Sequence, residues 1–467
     1  MTKRTRTILI AALSAAVVLA MVIGAAVWLN RPQPLRPVDS QTLRDAITTE
    51  RLTQHLKALQ DASDANGGNR QAGRPGHAAS IDYVEAQLKG AGYETQRQEF
   101  TYERRDPSRA TLADEGAPST SGTVTSLTTY EVETDFRPFA RSATGSAAGN
   151  VTAVDVNLDN DRDTTSGCEA SDFTHFPRGD IALLQRGTCR FDTKVQHATD
   201  AGASAVIVFN HGGREGLFRG DLGEDAAIPV LAATAERGAA WASRPTRLTL
   251  DVDTLETVTT ENLIADWPGE SGGTVVVGAH LDGVADGPGI NDNGSGVVTV
   301  LETAIQLAKL RAQTTHGVRF AFWSGEEDGL HGSYHYVESL EDAALEATEL
   351  YLNLDMVGSP NPTPWVYGGL GREGWRGLDH PVGETMADFL TEQGAEPDNA
   401  TFAGSDHLPF LEAGIPVSGL YTGADEGEDG PADPCYHLAC DRTDNIDPDM
   451  LGLMADALAH GVLAVAS

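Results

Sequence analysis

Residues 274–280 read Thr-Val-Val-Val-Gly-Ala-His, and this stretch decides the fold class. Its apolar side chains follow one another without the alternation of apolar and polar residues that a half-exposed strand shows. Such a run predicts a strand buried on both faces, as in a parallel sheet covered by helices. The run ends at His280, so a polar ring is expected at the carboxyl end of the strand, where open α/β sheets place their functional sites.

Similar runs recur through the second half of the chain. The pattern predicts a helix at 294–310 and further strands at 318–323, 350–355 and 416–421. Buried strands that alternate with helices indicate an α/β fold, with a mostly parallel mixed sheet flanked by helices. Nearer the N-terminus, the apolar spacing predicts helices at 40–60 and 78–89.

Length and charge limit the classes of function. The 467 residues are enough for two or three domains. The net charge is 33 − 68 = −35, which argues against nucleic acids and anionic membrane surfaces as partners. Composition predicts no oligomeric state.

The N-terminus has the composition of an export signal. Lys3, Arg4 and Arg6 precede an uncharged run from Ile8 to Leu29, which is long enough to span a bilayer. Because no convincing small-residue cleavage site follows, an uncleaved signal anchor is favoured over a cleaved signal peptide. In both cases the body of the chain is expected outside the cytoplasm, at the cell membrane or secreted, with membrane contact only through the anchor.

The chain has four cysteines, which lie in two local groups. Cys168 and Cys189 are in one region, and Cys435 and Cys440 are in another. An oxidising compartment favours the disulfides Cys168–Cys189 and Cys435–Cys440. Zinc ligation is the competing interpretation, but the chain has no Cys-x-x-Cys spacing.

Five side chains in the second half have the chemistry and context of metal ligands: His280, Asp292, Glu327, Asp355 and His437. Taken singly, some have an ordinary interpretation, such as a helix N-cap for Asp292. Asp355 is harder to explain in this way, because a carboxylate after an apolar strand is costly unless it is paired or metal-bound. Together they are too many for one tetrahedral zinc and suit two metals that share a carboxylate. Two metals roughly 3.5–4 Å apart can hold both the attacking and the leaving oxygen of a displacement, so a hydrolase is predicted.

Six ordered blocks carry a family resemblance. They are Ala279-His280-Leu281-Asp282, Asn291-Asp292-Asn293-Gly294-Ser295-Gly296, Gly325-Glu326-Glu327-Asp328-Gly329-Leu330-His331-Gly332-Ser333, Asn353-Leu354-Asp355-Met356, Ser405-Asp406-His407 and Cys435-Tyr436-His437. With these blocks, residues 261–467 closely resemble the co-catalytic zinc aminopeptidases of the secreted leucine-preferring bacterial type and the fungal aminopeptidase Y type. Residues 69–90 also look like the N-terminal peptidase segment of that family.

A second resemblance lies in the middle of the chain. The segment 179–191, with Lys194, Ala201-Gly202-Ala203 and Asn210, looks like a protease-associated (PA) domain. The two resemblances imply a zinc exopeptidase fold with an inserted, β-rich PA domain that has no chemistry of its own. The expected division is a signal anchor at 1–30, a stalk at 31–39, peptidase segments at 40–127 and 256–467, and the PA insertion at 128–255.

The aminopeptidase resemblance also implies roles. Asp292 would bridge two zinc ions per chain, one held by His280 and Asp355 and the other by Glu327 and His437. Glu326 would be the general base, and Tyr436 would donate to the developing oxyanion. Asp282 is expected to orient His280 through the second ring nitrogen. Asp406 and His407 match the family block but receive no role.

These residues predict a metalloaminopeptidase that removes N-terminal residues, apolar ones by the resemblance, from exported peptides. Glutamate carboxypeptidases also combine an anchor, a PA module and a di-zinc domain, but the chain has no room for their C-terminal helical domain. A receptor-like binding protein on the same scaffold is the third possibility. It is disfavoured because all five ligand candidates are present together with Glu326.

Overall fold

The computed structural model describes residues 35–116, 127–158, 164–211, 216–367, 380–400, 404–424 and 430–467, with the side chains of 399 and 400 left out. The predicted anchor at 1–30 therefore lies outside the described residues. The chain forms two compact units. The first contains the described residues up to Phe100 together with Thr259–Ser467, and the second contains Thr101–Val258.

The helices are numbered along the chain. They are α1 Ser40–Ala46, α2 Thr49–Asp64, α3 Pro75–Ala91, α4 Phe191–Ala201, α5 Ala235–Ala242, α6 Gly296–Leu310, α7 His331–Glu338, α8 Asp342–Ala347, α9 Val382–Glu392, α10 His407–Glu412 and α11 Pro448–Ala466. Helices α4 and α5 belong to the second unit, and the others belong to the first.

The strands follow the same numbering. They are β1 Thr95–Arg105, β2 Thr111–Asp114, β3 Thr128–Thr129, β4 Phe136–Pro138, β5 Ser146–Ala153, β6 Ile181–Gln185, β7 Ala205–Phe209, β8 Val230–Ala233, β9 Arg247–Asp251, β10 Leu255–Trp267, β11 Thr274–His280, β12 Gly317–Trp323, β13 Thr348–Leu354, β14 Trp365–Tyr367, β15 Asp398–Ala400 and β16 Val417–Tyr421.

The sheet of the first unit confirms the predicted fold class. Its strand order is β1-β10-β12-β11-β13-β16-β14-β15. The central strands β12, β11, β13 and β16 pair in parallel, whereas β10 pairs antiparallel with β12 and β14 pairs antiparallel with β16. These four central strands are the ones that the buried runs predicted. The sheet is therefore mixed, with a parallel centre.

Helices cover both faces of this sheet. Val275 and Val277 of β11 belong to the larger core, together with α6 and α11, whereas Val276 faces the opposite side with Trp323 and Phe410. The alternation of side chains along a strand produces these two cores. Every residue of α6 from Gly296 to Ala308 is buried, which explains why most of its sequence is apolar.

Helix α11 is also part of the larger core. Among the described residues it is the one helix that is long and apolar enough to cross a membrane, and more than half of its apolar window is buried inside the first unit. Its burial against the sheet explains its composition.

The N-terminal helical region differs from the prediction of a helix at 40–60. It forms two helices, because Ile47 is extended (φ −86°, ψ 124°) and Thr48 starts a new helix. The Thr48 hydroxyl accepts the N–H of Arg51, which is the usual N-cap interaction. Ile47 continues the apolar spacing and is buried, so apolar spacing alone did not reveal the break.

The second unit contains its own sheet of eight strands, in the order β3-β2-β9-β5-β6-β7-β8-β4. Strands β5 to β8 pair in parallel, and their apolar faces form two separate cores. The unit begins before residue 128, where the sequence placed the boundary. Strand β2 pairs with β9, with Leu112 opposite Leu250, so residues 111–114 belong to this sheet. Residues 111–114 read Thr-Leu-Ala-Asp, and a single large apolar residue, Leu112, gives no recognisable alternation.

Candidate active site

The candidate site lies at the carboxyl ends of three adjacent strands of the first unit. His280 is the last residue of β11, Asp355 follows β13, and Glu326 and Glu327 follow β12 after a short turn. Since β11 pairs in parallel with both β12 and β13, the three strands end at the same edge of the sheet. The topology therefore brings together side chains that are far apart in the sequence.

His280 occupies the centre of the site and is almost fully buried. Its Nε2 lies 3.3 Å from Asp355 Oδ1 and 3.4 Å from Asp292 Oδ1. Glu326 Oε2 lies 3.9 Å from the same nitrogen. One imidazole nitrogen thus faces three carboxylates, an arrangement typical of residues that share a bound cation.

His437 approaches Asp292 from the other side. Its Nε2 lies 3.0 Å from Asp292 Oδ2 and 3.1 Å from Glu327 Oε2. The residue has a left-handed backbone conformation, with φ 56°. It lies inside the loop that the Cys435–Cys440 disulfide closes. The predicted pairing of these two cysteines is confirmed, as is the Cys168–Cys189 pairing in the second unit.

Asp292 belongs to a buried turn between β11 and α6, and its backbone is held by Asp441. The two carboxylate oxygens of Asp441 accept the N–H groups of Asn291, at 2.8 Å, and Asp292, at 3.0 Å. The peptide bond between Asp292 and Asn293 is cis. This anchoring fixes the turn, so the two oxygens of the Asp292 side chain can face different histidines.

A cavity of about 560 Å³ opens onto these groups. Asp292, Glu326, Glu327, Asp355 and His437 all contribute to its lining. The remaining wall contains the apolar and aromatic side chains of Leu330, Met356, Tyr421, Ala424 and Tyr436. The cavity therefore combines one charged end with an apolar wall, as small-molecule and peptide sites commonly do.

Burial and mutual repulsion shape the ionisation of the site. Burial raises the pKa of Glu326 well above its usual value and raises the pKa of Glu327 to about 7. Burial opposes protonation of His437, but hydrogen bonds to Asp292 and Glu327 outweigh it and raise its pKa to about 10. Several carboxylates in one buried space repel each other, and a bound cation would relieve this repulsion.

The donor set fits zinc. Imidazole nitrogens and carboxylate oxygens are ligands that Zn²⁺ takes in hydrolytic sites. Ligand atoms of His280, Glu326 and Asp355 lie within 4.8 Å of one another, and so do those of His280, Asp292 and Glu327. Glu327 Oε1 is buried and has no hydrogen-bond partner among the described residues. A buried carboxylate oxygen without a donor is costly unless a cation satisfies it.

Comparison with known proteins decides the family. The model of "Peptidase family M28" matches residues 262–462, and the model of the PA domain matches residues 148–241. An aminopeptidase of Pseudomonas aeruginosa is 40% identical over 440 residues, which span 88% of this chain and 80% of that one. The chain belongs to peptidase family M28.

Two further similarities agree with this assignment. A leucine aminopeptidase 2 of Trichophyton tonsurans is 32% identical over 457 residues, covering 92% of this chain and 86% of the relative. The solved structure of a zinc aminopeptidase from Bacillus subtilis aligns with a TM-score of 0.67 at 26% identity, over 90% of this chain and 95% of that one. The chain is thus an M28 aminopeptidase of the zinc-dependent type, it acts on peptides, and it carries a PA domain, as the resemblances implied.

Two more of the predicted site residues, Asp282 and Tyr436, contact the ligand candidates. His280 Nδ1 lies 3.3 Å from the backbone oxygen of Asp282 and 3.9 Å from its carboxylate. The Asp282 carboxylate instead accepts the N–H of Glu326, at 3.3 Å. Asp282 therefore contacts His280 with its own backbone oxygen and the backbone of Glu326 with its carboxylate. Tyr436 stacks on His437, with ring centroids 3.8 Å apart.

The block at 405–407, which received no role from the sequence, supports Asp355. The Ser405 hydroxyl donates to Asp355 Oδ2 at 2.6 Å and accepts from the Asn353 amide at 2.9 Å. Asp406 and His407 are fully buried, and His407 packs against Tyr367. Ser405 of this block therefore contacts a ligand candidate through a direct hydrogen bond.

Arg70 is the residue that sequence reasoning missed most clearly. Its guanidinium is fully buried and donates to three backbone oxygens, those of Pro288 at 2.7 Å and of Leu281 and Gly289. Leu281 follows His280, and Gly289 opens the turn that carries Asp292. One side chain therefore joins the backbones of two ligand-bearing segments. The only sequence signal was an arginine in a glycine-rich loop.

Proposed function

We propose that this chain is an extracytoplasmic aminopeptidase that removes apolar N-terminal residues from peptides with two zinc ions and Glu326 as general base. The observation that carries the proposal is the position of Asp292. Its Oδ1 faces His280 and its Oδ2 faces His437, so one carboxylate can serve two metal positions.

The other ligands divide between the two sides of Asp292. His280 and Asp355 would hold one ion, since their donor atoms are 3.3 Å apart. Glu327 and His437 would hold the other, with donor atoms 3.1 Å apart. Bound zinc would polarise the scissile carbonyl and lower the pKa of a coordinated water.

Glu326 would move the proton. Its carboxylate lines the cavity beside the metal positions, and its Oε2 is within 3.9 Å of His280. Burial raises the pKa of Glu326, which makes its carboxylate a stronger base than an exposed glutamate. It would take a proton from the attacking water and return it to the leaving amine.

Tyr436 would stabilise the negative charge that develops on the carbonyl oxygen. It lines the same cavity, and burial together with the nearby carboxylates raises the pKa of its phenol above the usual value. The hydroxyl therefore stays protonated at working pH and can donate a hydrogen bond.

The apolar wall of the cavity supports a preference for apolar N-terminal residues. Leu330, Met356, Tyr421 and Ala424 line it, and Met356, Tyr421 and Ala424 belong to one apolar cluster. The leucine aminopeptidase relative is consistent with such a preference. An exported location is supported by the two disulfides, which persist in oxidising compartments, and by the basic and apolar N-terminus.

A panel of aminoacyl-anilides tests the proposal. The leucyl substrate should be cleaved faster than the aspartyl and lysyl substrates, chelation should abolish cleavage, and zinc should restore it. Glu326→Gln should keep its zinc and lose about 10²–10⁴-fold in kcat, while the exposed Glu338→Gln on α7 serves as the matched control. Normal turnover by Glu326→Gln would remove this residue from the mechanism. Removal of C-terminal residues from N-acetylated peptides would contradict aminopeptidase action.

A further inference from the structure

The second unit contains a cavity of about 530 Å³. Its lining shares no residue with the lining of the candidate active site. Four arginines line it: Arg105, Arg137, Arg141 and Arg219. Two carboxylates, Asp221 and Asp225, also line it, so the side chains of the lining carry more positive than negative charge. Such a cavity is unusual in a chain whose net charge is −35.

The positions of the arginines follow from the sheet. Arg105 ends β1, and Arg137 lies on β4, which pairs antiparallel with β8. Arg141 lies just after β4, where Ala140 forms a bridge with Asp221. Its φ of 65° is uncommon for a residue with a side chain. Arg219 comes from the segment that precedes β8, so four separate positions converge on one cavity.

Internal partners use only part of the hydrogen-bonding capacity of these arginines. Arg105 donates to the backbone oxygen of Ser142 at 3.0 Å. Arg137 pairs with Glu133 at 3.3 Å, and Arg141 pairs with Asp221 at 3.6 Å. Among the described residues, Arg219 forms no hydrogen bond or ion pair. Because each guanidinium carries five N–H donors, Arg105, Arg141 and Arg219 keep donors available to a ligand.

The remaining wall of the cavity is apolar. Pro107, Pro138 and Phe139 contribute to it, and Phe139 is buried. Guanidinium groups bind carboxylates through paired hydrogen bonds, and apolar walls strengthen such contacts by excluding water. The ligand chemistry that fits is a carboxylate attached to an apolar stem, as in aspartate and glutamate side chains.

We propose that this arginine cavity binds acidic segments of peptides. The inference rests on the assignment of the chain as a peptidase, since that assignment makes peptides the molecules it meets. Elsewhere the acidic protein repels such segments, whereas the arginine cavity attracts them. It would therefore bind peptides that carry aspartate or glutamate more tightly than peptides that lack them.

Titration calorimetry tests the proposal. It measures the affinity of the full-length protein for two N-acetylated heptapeptides. One peptide ends in Asp-Glu-Glu and the other in Asn-Gln-Gln. Acetylation blocks the N-terminus, so the readout needs no turnover, and a failure of the proposed catalysis would leave the binding result intact. The acidic peptide should bind at least about 10-fold more tightly than the amide peptide, with an affinity that falls as salt rises.

Substitution locates the binding. Arg141→Gln combined with Arg219→Gln should weaken binding of the acidic peptide by about 10-fold or more, as expected for the loss of two charge-assisted contacts. Both side chains are exposed, so the fold and the cleavage of a leucyl anilide should not change. Arg178→Gln, an exposed arginine of the same unit outside the cavity, should bind like the unchanged protein. Equal binding of the two peptides, or unchanged binding by the double variant, would overturn the proposal.

Discussion

His437 Nε2 lies 3.0 Å from Asp292 Oδ2, and the histidine belongs to a loop whose two ends are joined by a disulfide. Cys435 and Cys440 flank His437 within a separation of five residues. The histidine also has a left-handed backbone, which a non-glycine residue keeps only when its surroundings enforce it. The covalent closure of the loop is therefore expected to position one of the proposed zinc ligands.

Removing this disulfide should weaken zinc binding. Replacing Cys435 and Cys440 by serine frees the loop, so we expect zinc affinity to fall by about 10–100-fold, as when other supports of metal ligands are lost. Competition with a chromogenic chelator measures this affinity. The matched control replaces Cys168 and Cys189, whose disulfide lies in the second unit. An equal loss of zinc affinity in both double variants would show that the effect is not local.

Tyr436→Phe removes the proposed oxyanion donor and leaves the ring that stacks on His437. We expect kcat to fall by about 10²–10³-fold, with little change in zinc content, since one such donor is commonly worth about 3–4 kcal/mol. Steady-state kinetics with a leucyl anilide measures the effect. Tyr334→Phe is the control, because the Tyr334 hydroxyl donates to Glu412 and lies outside the cavity lining. Unchanged kcat would assign oxyanion stabilisation to another group.

The sequence predicted the central strands and the ligand candidates for the same reason. A strand such as β11 is buried on both faces and must be apolar throughout, so the polar residue at its end, His280, is conspicuous. Parallel pairing then brings together the ends of β11, β12 and β13. Local patterns thus determined both the sheet and most of the candidate site.

Supports that act through the backbone could not be predicted in this way. Arg70 contacts carbonyl oxygens more than two hundred positions away, and every residue type offers a carbonyl. Asp282 was expected to orient His280 through the second ring nitrogen, and the Asp282 group nearest to that nitrogen is the backbone oxygen, with the carboxylate farther away. The choice between main-chain and side-chain oxygens depends on loop geometry, which residue types do not specify.

Arg70 gives a test of these supports. Arg70→Met removes the hydrogen bonds that join the segments of His280 and Asp292, and Arg70→Lys keeps the charge but not the planar arrangement of donors. We expect zinc affinity to fall by about 10–100-fold in the methionine variant and by less in the lysine variant. Arg51→Met on α2 is the control, because Arg51 is half-exposed and its guanidinium reaches Glu302 only at 3.7 Å. If both folded Arg70 variants bind zinc normally, Arg70 serves the fold alone.

His77 predicts a pH dependence of stability. Burial, assisted by the nearby Arg70 charge, lowers the pKa of His77 to about 3, and its Nε2 lies 2.8 Å from the Ser324 hydroxyl. The folded chain therefore holds this ring neutral, whereas the unfolded chain protonates it below about pH 6.5. The stabilisation is fully present above pH 6.5 and is lost as the pH falls from 6.5 towards 3.

A comparison with His77→Gln isolates this contribution. Glutamine retains a hydrogen-bonding group for Ser324 but does not titrate. Between pH 7 and pH 4, the free energy of unfolding of the unchanged protein should fall by about 3 kcal/mol more than that of the variant, which follows from a shift of about 1.4 kcal/mol per pKa unit. Urea titrations of the chelated, zinc-free proteins measure the difference. Parallel pH profiles would mean that the ring is protonated in the folded chain.

Zinc stoichiometry is the decisive measurement, because the proposed mechanism requires Asp292 to serve two ions at once. After reconstitution and dialysis, elemental analysis should find two zinc ions per chain in the unchanged protein, one in His437→Ala, and fewer than one in Asp292→Ala. All three proteins should give the same circular dichroism. A single zinc ion in the fully reconstituted unchanged protein, or an Asp292→Ala variant that retains the full zinc content, would contradict the account.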